Sequence, residues 1–466
     1  MAAPVISDVP SSLPPGPRSF IPGVNLLAFR RDPLGFLGEV ARRYGDIAYF
    51  QLGSQHVYLL SHPEYIKDVL VTHDRKFKKG RILERAKRVL GEGLLTSEGE
   101  FHLRQRRLMQ PSFQHRRIAH YADAMVEASA AWGGRWQHGE TRDMHSEMLG
   151  LGLVVAGQTL FGSGMEHAAE AISEAMNAFM DVFGLIMLPF SELLEKLPLP
   201  AVRRVDRARQ RLDEIMYRLI AERRRLLSSQ PDSGAQQEDD LLSMLVRAQD
   251  TEGGTGAMTD EQVRDECVTI ILAGHETTAA ALTWTWYLLS QHPAVEARLH
   301  RELDSVLSGR RATADDIPSL RYTEMVFRES MRLYPPAWGL ARKTLEPHEI
   351  AGYEIPRGGI VLANPYLVQR DPRWFANPER FDPERWERED GEEARPKFAY
   401  FPFGGGPRRC IGEGFAWMEG VLLLATLAQR WQMRLAEGQR IGMKPVLTLR
   451  PRYGMRMVLA SRSSHL

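Results

Sequence analysis

The feature that most constrains this chain is a glycine-rich loop that carries one cysteine. Residues 403–412 read Phe-Gly-Gly-Gly-Pro-Arg-Arg-Cys-Ile-Gly, and a helix-forming segment follows. Glycines permit close backbone approach to a flat ligand and leave amide N–H groups free to face the sulfur of Cys410. Those donors, together with Arg408, Arg409 and a helix N-terminus, favour a thiolate, which is a soft metal ligand. The pattern predicts a metal-ligating thiolate; the alternative is a glycine-rich turn around a structural cysteine.

Every specified position of this loop matches the pattern F-G-x-G-x-R-x-C-x-G, and the loop resembles the haem-binding loop of the cytochrome P-450 superfamily. The resemblance implies a haem b cofactor whose iron takes Cys410 as its proximal ligand. It also implies that Arg408 reaches a haem propionate, that Phe403 packs near the sulfur, and that Gly412 belongs to the cofactor-binding loop. A thiolate on haem iron favours O–O cleavage. The implied activity is therefore reductive activation of O₂ with insertion of one oxygen atom into a C–H or C=C bond.

A second informative segment lies in a long apolar helix that is predicted to begin near Thr259 and to end near Gln291. Residues 273–278 read Ala-Gly-His-Glu-Thr-Thr, and glycine and threonine are poor helix formers. Threonine hydroxyls inside a helix can bond to the carbonyl four residues earlier and bend the helix. Such rule-breaking in an otherwise good helix indicates either a function or a notch for helix packing.

This segment resembles the oxygen-activating motif of the same family, A/G-G-x-D/E-T-T. The resemblance implies that Glu276 and Thr277 form an acid–alcohol pair for proton delivery and that Ala273 lies over the haem face. Ala273 and Thr277 are four residues apart and share one helix face. Peroxide-driven peroxygenases and non-oxygenating isomerases of the family usually lack the pair, so its presence favours a monooxygenase. The alternative from a different class is a haem-binding sensor without turnover, which needs no threonine at this point.

A third set of residues is predicted to be structural. Glu329 and Arg332 are spaced for an ion pair on one helix face, although such a pair alone is usually a solvated surface contact. In the family this spacing belongs to a buried triad that is completed by an arginine of a later P-E-R-F/W segment. The resemblance implies Arg385 as that third member, and not Arg380 of the preceding Pro-Glu-Arg-Phe copy. Gln369 stands where the family often has histidine, a departure that we expect to be harmless.

Other basic residues resemble the groups that hold the haem propionates. Residues 99–107 resemble the W-x-x-x-R helix of the family, with His102 at the tryptophan position and Arg106 at the arginine position. The ring N–H of His102 can donate to a propionate as an indole would; the alternative for His102 is an exposed helix residue. Arg342 follows the Pro-Pro turn at the place where members often carry a propionate-binding basic residue, and Lys343 is the alternative there.

The segments that line the substrate pocket in this family are mostly apolar here, with Trp338 the largest side chain among them. An apolar pocket implies a hydrophobic small molecule, such as a fatty acid, terpenoid, carotenoid, steroid or polyketide-like compound. Arg408 and the distal motif resemble the long, eukaryote-like branch of the family, which includes fatty-acid, terpenoid and carotenoid hydroxylases. The pocket segments are residues 81–95, 176–188, 337–340 and 446–449.

Composition bounds the remaining classes. The net charge is +1 over 466 residues, which gives no global charge argument for nucleic acid. The chain has two cysteines, Cys267 and Cys410, so we expect a reducing compartment, the cytoplasm, and no disulfide framework. No apolar run approaches the roughly 18 residues that a membrane span needs, and the proline-rich segment 1–20 lacks a signal pattern, so we expect no membrane span.

The chain ends soon after the cysteine loop and its helix, so we expect no fused reductase. Electrons are then expected from an external ferredoxin or flavodoxin with its NAD(P)H reductase. A basic cluster near the haem-binding segments would steer an acidic carrier to the face over Cys410; the alternative is a solvated helix face. The cluster consists of Arg104, Arg107, Arg116, Arg117 and Arg409.

The predicted fold is mainly α with a small β region, the cytochrome P-450 fold, as a single domain over residues 1–466 and a monomer. Alternating apolar residues predict a hairpin over 46–61 with its turn at 53–55. Helical periodicity dominates 63–430, apart from short strands near 341–360. Further strands are predicted at 446–450 and 455–459, and exposed loops at 228–240 and 251–256.

Overall fold

The computed structural model describes residues 13–18, 23–161, 172, 200–229, 240–250, 256–387 and 395–462. Within these residues the predicted fold, mainly α with small sheets, is confirmed. Most of the predicted loop 228–240, most of the loop 251–256 and the whole predicted pocket segment 176–188 lie outside the described residues. No described helix combines the length and the hydropathy that crossing a bilayer requires.

Helices form most of the described chain because apolar residues recur at helical spacing along it. The α-helices are α1 (Val24–Arg31), α2 (Pro33–Tyr44), α3 (Pro63–Lys67), α4 (Arg81–Leu90), α5 (Gly99–Met109), α6 (His115–His120), α7 (Ala122–Gly133), α8 (Met144–Ala156), α9 (Pro200–Ser229), α10 (Leu241–Arg247), α11 (Asp260–Gln291), α12 (Pro293–Leu307), α13 (Arg321–Leu333), α14 (Pro365–Val368) and α15 (Glu413–Ala428). Short 3₁₀ or π segments lie at Asp68–Thr72, Asp74–Lys76, Gln110–Phe113, Gly157–Phe161, Ala314–Ser319, Pro383–Trp386, Lys397–Ala399 and Gly406–Arg408.

The strands form one five-stranded sheet, one three-stranded sheet and three two-stranded hairpins. They are β1 (Ile47–Leu52), β2 (Gln55–Leu60), β3 (Phe77–Lys79), β4 (Thr141–Asp143), β5 (Gln249–Asp250), β6 (Gly256–Ala257), β7 (Leu340–Thr344), β8 (His348–Ile350), β9 (Tyr353–Ile355), β10 (Ile360–Ala363), β11 (Trp431–Leu435), β12 (Met443–Pro445), β13 (Leu449–Pro451) and β14 (Arg456–Ser461). The larger sheet has the order β1-β2-β10-β7-β3 and the smaller one β11-β14-β4; the hairpins are β5-β6, β8-β9 and β12-β13.

The predicted hairpin over 46–61 is confirmed as β1 and β2, which pair antiparallel with Tyr49 opposite Tyr58. Its turn holds Gly53 at a φ of +64°, a conformation that glycine adopts without strain. The prediction of a strand at 446–450 is wrong in its bounds, because only Leu449–Pro451 pairs, against Met443–Pro445. The strands β3, β4 and β11 were not predicted, since three-residue strands, and a strand directly after a helix, leave almost no periodic signal.

The long helix α11 lies at the centre of the fold. It begins as predicted at a capping box, in which Thr259 and Gln262 satisfy each other's backbone N–H groups. Most of its side chains are buried, and the large aromatic Trp284 is fully buried. The indole of Trp284 stacks on Tyr334 with ring centroids 4.2 Å apart, and its N–H donates to the Leu449 carbonyl over 2.7 Å. These contacts attach α11 to α13 and to the β12-β13 hairpin.

Candidate functional site

The cysteine loop is closed by its own backbone and rests on a neighbouring turn. The Cys410 N–H donates to the Phe403 carbonyl over 3.0 Å. Gly406 has a φ of +67°, and a Cβ at this position would lie 1.9 Å from the Leu70 carbonyl oxygen. Only glycine fits there, because both the backbone conformation and the space exclude a side chain. Phe403 packs against Trp417 with ring centroids 5.8 Å apart, which fixes the loop against α15.

The surroundings of Cys410 act on its thiol in both directions. Cys410 has exposed surface, whereas Cys267 is buried. Desolvation by the surrounding loop raises the pKa of Cys410 to about 11, while the Gly412 N–H and the charges of Arg106 and Arg409 lower it. The thiolate form of Cys410 stays a prediction, because a coordinated metal cation would itself deprotonate the thiol.

His102 lies in a buried cationic environment. It is 3% exposed, so the alternative of an exposed helix residue is excluded. Burial, followed by the charges of Lys79, Arg408 and Arg106, lowers the pKa of His102 to about 3. The imidazole is therefore neutral. Its Nδ1 lies 3.4 Å from the Ser97 hydroxyl, and its Nε2 is buried without a partner among the described residues.

Arg408 and Arg342 belong to the same environment as His102. Arg408 forms a 2.5 Å ion pair with Glu98, but its Nη1 is buried without a partner among the described residues. Burial, together with the positive charge of Arg408, lowers the pKa of Arg342 to about 10. Two unpartnered buried nitrogens, on His102 and Arg408, thus lie among guanidinium groups. An anionic ligand would supply the missing acceptors.

Lys79 is a member of this cluster that sequence reasoning missed. It is 5% exposed, and its ammonium group donates to the Leu94 and Ser97 carbonyls over 2.8 Å each. Burial lowers the pKa of Lys79 to about 7, against the attraction of Glu98. The residue lies on the three-residue strand β3, where no periodicity draws attention to it. The basic Lys78-Lys79 pair before a glycine was the available signal.

Arg106 is placed differently from the other three predicted propionate ligands. Its Nη1 donates to the Arg409 carbonyl over 2.7 Å, so it holds the backbone of the cysteine loop. Burial lowers the pKa of Arg106, while the neighbouring Cys410 raises it. The structure therefore brings His102, Arg342 and Arg408 together, and the charge of Arg106 acts on both His102 and Cys410. The propionate role of all four residues stays a prediction.

The segment 273–278 of α11 makes the predicted bond from a threonine side chain to the helix backbone. The Thr277 hydroxyl donates to the Ala273 carbonyl over 2.6 Å, which is the helix-bending bond to the carbonyl four residues earlier. Ala273 is exposed and Thr277 half-buried, so this face of the helix is open. A Cβ at Gly274 would meet nothing within 4 Å. The segment therefore borders open space on the side where Ala273 and Thr277 lie.

Glu276 points away from that face into a buried ion pair that the sequence did not reveal. Arg450 donates to both of its carboxylate oxygens, and the Thr448 hydroxyl donates to Oε1 over 2.5 Å. Burial by itself raises the pKa of Glu276, but these bonds outweigh it and hold the pKa below its usual range. Glu276 is thus ionised and ties α11 to the β12-β13 hairpin. The role of Glu276 as a proton carrier stays a prediction, and the ion pair gives Glu276 a structural role as well.

The hairpin β12-β13 also joins two predicted pocket segments. The Trp338 indole donates to the Val446 carbonyl over 2.8 Å, and the Leu449 N–H donates to the Pro336 carbonyl over 3.0 Å. Segments 337–340 and 446–449 are therefore adjacent, as their shared assignment to the pocket requires.

The three predicted structural residues lie together and are buried. Arg332 donates from Nε and Nη2 to the two carboxylate oxygens of Glu329, over 2.9 and 2.8 Å, and Arg385 donates to Oε1 over 2.8 Å. Arg380 contributes only its carbonyl, which accepts from Arg332. The side-chain amide of Gln369 donates to the carbonyls of Met331 and Arg332 in α13, and its oxygen accepts from the Phe401 N–H. Gln369 therefore joins the triad region to the segment that leads into the cysteine loop.

The basic cluster is partly paired. Arg409 forms two bonds to the Glu413 carboxylate, over 2.5 and 2.7 Å, and Arg104 donates to the Gly256 carbonyl over 3.2 Å. Arg107 and Arg116 are exposed. Glu413 therefore offsets the charge of Arg409, and the role of the cluster in docking stays a prediction.

A family model described as cytochrome P450, written P-450 here, matches residues 14–456 of the chain. This chain belongs to the cytochrome P-450 family. It is similar to cyclooctatin synthase of Streptomyces melanosporofaciens, at 41% identity over 91% of this chain and 90% of the relative. It is also similar to cyclooctat-9-en-7-ol 5-monooxygenase of the same organism, at 40% identity over 88% and 87%. Pentalenene oxygenase of Streptomyces avermitilis is 37% identical over 86% of this chain and 87% of its own length.

The family fixes the chemistry that the site performs. The protein is a P-450 monooxygenase with a haem-thiolate cofactor, which uses O₂, a redox partner and a hydrophobic small-molecule substrate. The residues present fit such a cofactor. One thiol with exposed surface lies in the glycine-rich loop, and the unpartnered nitrogens of His102 and Arg408 lie among cations that suit carboxylates.

Proposed function

We propose that this P-450 hydroxylates or epoxidises a cyclic terpenoid. The observation that carries the proposal is the similarity, over 86% or more of the chain, to two relatives whose names specify oxygenation of cyclooctat-9-en-7-ol and of pentalenene. Terpenoids are also among the substrate classes that the apolar pocket segments favour. Such a substrate offers few polar groups, so the enzyme must orient it by shape and apolar contact.

We propose that the cofactor is haem b, held at the metal by Cys410 and at its edge by the buried cations. When bound, the haem supplies O₂ reduction and oxygen transfer, which side chains do not perform. Lys79, Arg342 and Arg408 would balance the propionate charges, and the neutral His102 would donate from Nε2. Arg106 would act on the loop, because its guanidinium holds the Arg409 carbonyl.

Thr277 is the proposed last proton donor of the chain. Its Oγ1 already donates to the Ala273 carbonyl, so it releases a proton outward only by breaking or sharing this bond. The open space beside Gly274 leaves room for a water that returns the proton. Glu276 would join this path only when its pair with Arg450 opens, because the paired carboxylate carries no proton.

We further propose that the redox partner is an acidic ferredoxin or flavodoxin with its NAD(P)H reductase. The exposed part of the basic cluster beside the cysteine loop supports this choice, since complementary charge accelerates docking. We also propose, as the sequence predicts, a single-domain protein that acts as a monomer.

The function is tested by binding and turnover with a defined panel. Cyclic sesquiterpenes and diterpenes are titrated against fatty acids and steroids, and the shift of the haem Soret band is recorded. We expect terpenoids to give the largest shift and, with a surrogate ferredoxin and reductase, an oxygenated product. A shift confined to fatty acids or steroids would contradict the terpenoid assignment. Product formation with hydrogen peroxide alone, and none with the reductase pair, would instead identify a peroxygenase.

A further inference from the structure

We infer that Asp68, His73 and His348 form a binding site for one divalent transition-metal ion of the class of Zn²⁺, Cu²⁺ and Ni²⁺. The three residues take no part in the haem site described above. Within the described part of the chain, they are the one group of three or more His, Cys, Asp or Glu side chains whose ligand atoms lie close enough together to hold an ion.

The three side chains converge on one point. Asp68 Oδ1 lies 2.6 Å from His73 Nδ1, and Asp68 Oδ2 lies 2.6 Å from His348 Nε2. All three ligand atoms lie within 4.8 Å of one another. The two imidazole rings are neighbours, with centroids 4.9 Å apart. One carboxylate thus faces two imidazole nitrogens from different parts of the chain.

The unusual turn at Asp68–Thr72 produces half of this arrangement. It is a π turn, in which the His73 N–H donates to the Asp68 carbonyl over 2.8 Å, five residues back. In an α-helix, residues five apart point in clearly different directions around the axis. The wider π turn brings residue 73 back over residue 68. Single π turns of this kind occur frequently at functional sites.

The second histidine is supplied by the β8-β9 hairpin. His348 lies on β8 and is held edge-on against the Phe77 ring, with centroids 5.2 Å apart. Its side chain is 6% exposed, whereas those of His73 and Asp68 are 41% and 26% exposed. The site therefore has one rigid buried ligand and two ligands at the surface, which gives an ion a path of entry.

The donor set selects the class of metal. Two imidazole nitrogens and one carboxylate suit Zn²⁺, Cu²⁺ or Ni²⁺, whereas Mg²⁺ and Ca²⁺ prefer oxygen ligands. Three protein ligands leave the fourth tetrahedral position to water. Zinc bond lengths of about 2.0–2.1 Å place tetrahedral ligand atoms roughly 3.3 Å apart. Each 2.6 Å contact uses a different oxygen of Asp68, so a single ligating oxygen retains one of them, and that contact must widen by about 0.7 Å. The partly exposed His73 and Asp68 can make that movement.

The alternative is a hydrogen-bonded His-Asp-His cluster that never takes up a metal. In that case each imidazole donates one N–H to Asp68, and the cluster is already satisfied. A metal site binds one ion per chain, whereas a hydrogen-bonded cluster binds none, and the stoichiometry of binding distinguishes the two.

The test uses untagged, haem-loaded protein that has been treated with a chelator and then exchanged into buffer without it. Titration with ZnCl₂ is followed by calorimetry. We expect one bound Zn²⁺ per chain, and at least tenfold weaker binding in Asp68→Asn and in His73→Ala. His138→Ala is the matched control, because His138 is an exposed histidine on another part of the surface. It should bind as the wild type does.

Two results would overturn the inference. One is a wild-type stoichiometry well below one, which decides the matter without any variant. The other is unchanged affinity in both Asp68→Asn and His73→Ala. The CO difference spectrum of each variant shows whether it retains the folded haem site. A zinc-induced rise in the unfolding temperature, present in the wild type and absent in the folded variants, is the second readout.

Discussion

At the scale of single residues, Thr277 offers the clearest test of the proposed proton delivery. Thr277→Ala removes the hydroxyl that bonds to Ala273 but leaves the cysteine loop and the cation cluster untouched. We expect normal haem content and substrate binding, with reducing equivalents diverted to hydrogen peroxide, because the proposed proton donor is lost. Product per NAD(P)H and peroxide are assayed together. Thr277→Ser should retain coupling; wild-type coupling in the alanine variant would remove Thr277 from the mechanism.

Arg450 offers a residue-scale test of the ion pair with Glu276. Arg450→Gln leaves a buried carboxylate without its cation, and loss of one partner of such a pair costs about 3–5 kcal/mol. The folded pKa of Glu276 is depressed, so its stabilising contribution exists above the unfolded pKa and is lost as the pH falls through the folded value. We expect a large loss of unfolding free energy at pH 7 and a smaller one near pH 4. A loss that does not vary with pH would contradict the pairing.

Glu419 is predicted to have the opposite pH dependence. It is fully buried in α15, accepts a bond from the Thr278 hydroxyl over 2.8 Å, and has its pKa raised by burial to about 8. The folded chain therefore holds a proton that the unfolded chain releases above its ordinary carboxyl pKa. The stabilising contribution is complete below that pKa and is lost as the pH rises through about 8.

Glu419→Gln mimics the protonated side chain and should remove this dependence. The difference in unfolding free energy between variant and wild type should grow in favour of the variant from pH 5 to pH 8, by up to about 1.4 kcal/mol per pH unit. Denaturant unfolding at several pH values measures it. A constant difference across that range would show that Glu419 is ionised in the folded protein.

At the scale of the elements, the cysteine loop lies very close to the Asp68–Thr72 turn. Gly406→Ala would force a side chain onto the Leu70 carbonyl as well as straining a positive φ. Gly438→Ala is the matched control, because Gly438 has a φ of +70° with nothing within 4 Å of its Cβ position. We expect the first variant to lose haem on a desalting column and the second to keep it. Equal retention would mean that the loop adjusts freely.

The elements also show what sequence reasoning reached and where it stopped. Motifs that are contiguous in sequence, such as the cysteine loop and residues 273–278, were found because their functional residues are adjacent in the chain. Arg450 and Lys79 were missed, since their partners lie 174 and about 15 residues away and only the fold brings them together. Strand β11 was missed because it continues directly from a helix. Reasoning from composition cannot supply such pairings.

At the scale of the whole molecule, we expect charge to influence the encounter with the proposed redox partner. The exposed part of the basic cluster should accelerate reduction by an acidic ferredoxin, and salt should slow it, because the Debye length is about 8 Å at physiological ionic strength. We expect the reduction rate of the wild type to fall steeply between low and high salt. At low salt, Arg107→Glu should be reduced more slowly than the wild type. Reduction by dithionite serves as the control. A rate independent of salt would place the docking surface elsewhere.

The ion pair between Glu276 and Arg450 has a consequence for the coupling of NAD(P)H consumption to product formation. It fastens the helix that carries Thr277 to the hairpin whose segment 446–449 is predicted to touch the substrate. A molecule that fits badly and pushes this hairpin aside should therefore also disturb the helix that carries the proposed proton donor. We expect wasted NAD(P)H to increase in proportion to misfit across a series of substrate analogues. The Arg450→Gln variant lacks this ion pair. In it, the uncoupled consumption of NAD(P)H should no longer depend on how well the substrate fits.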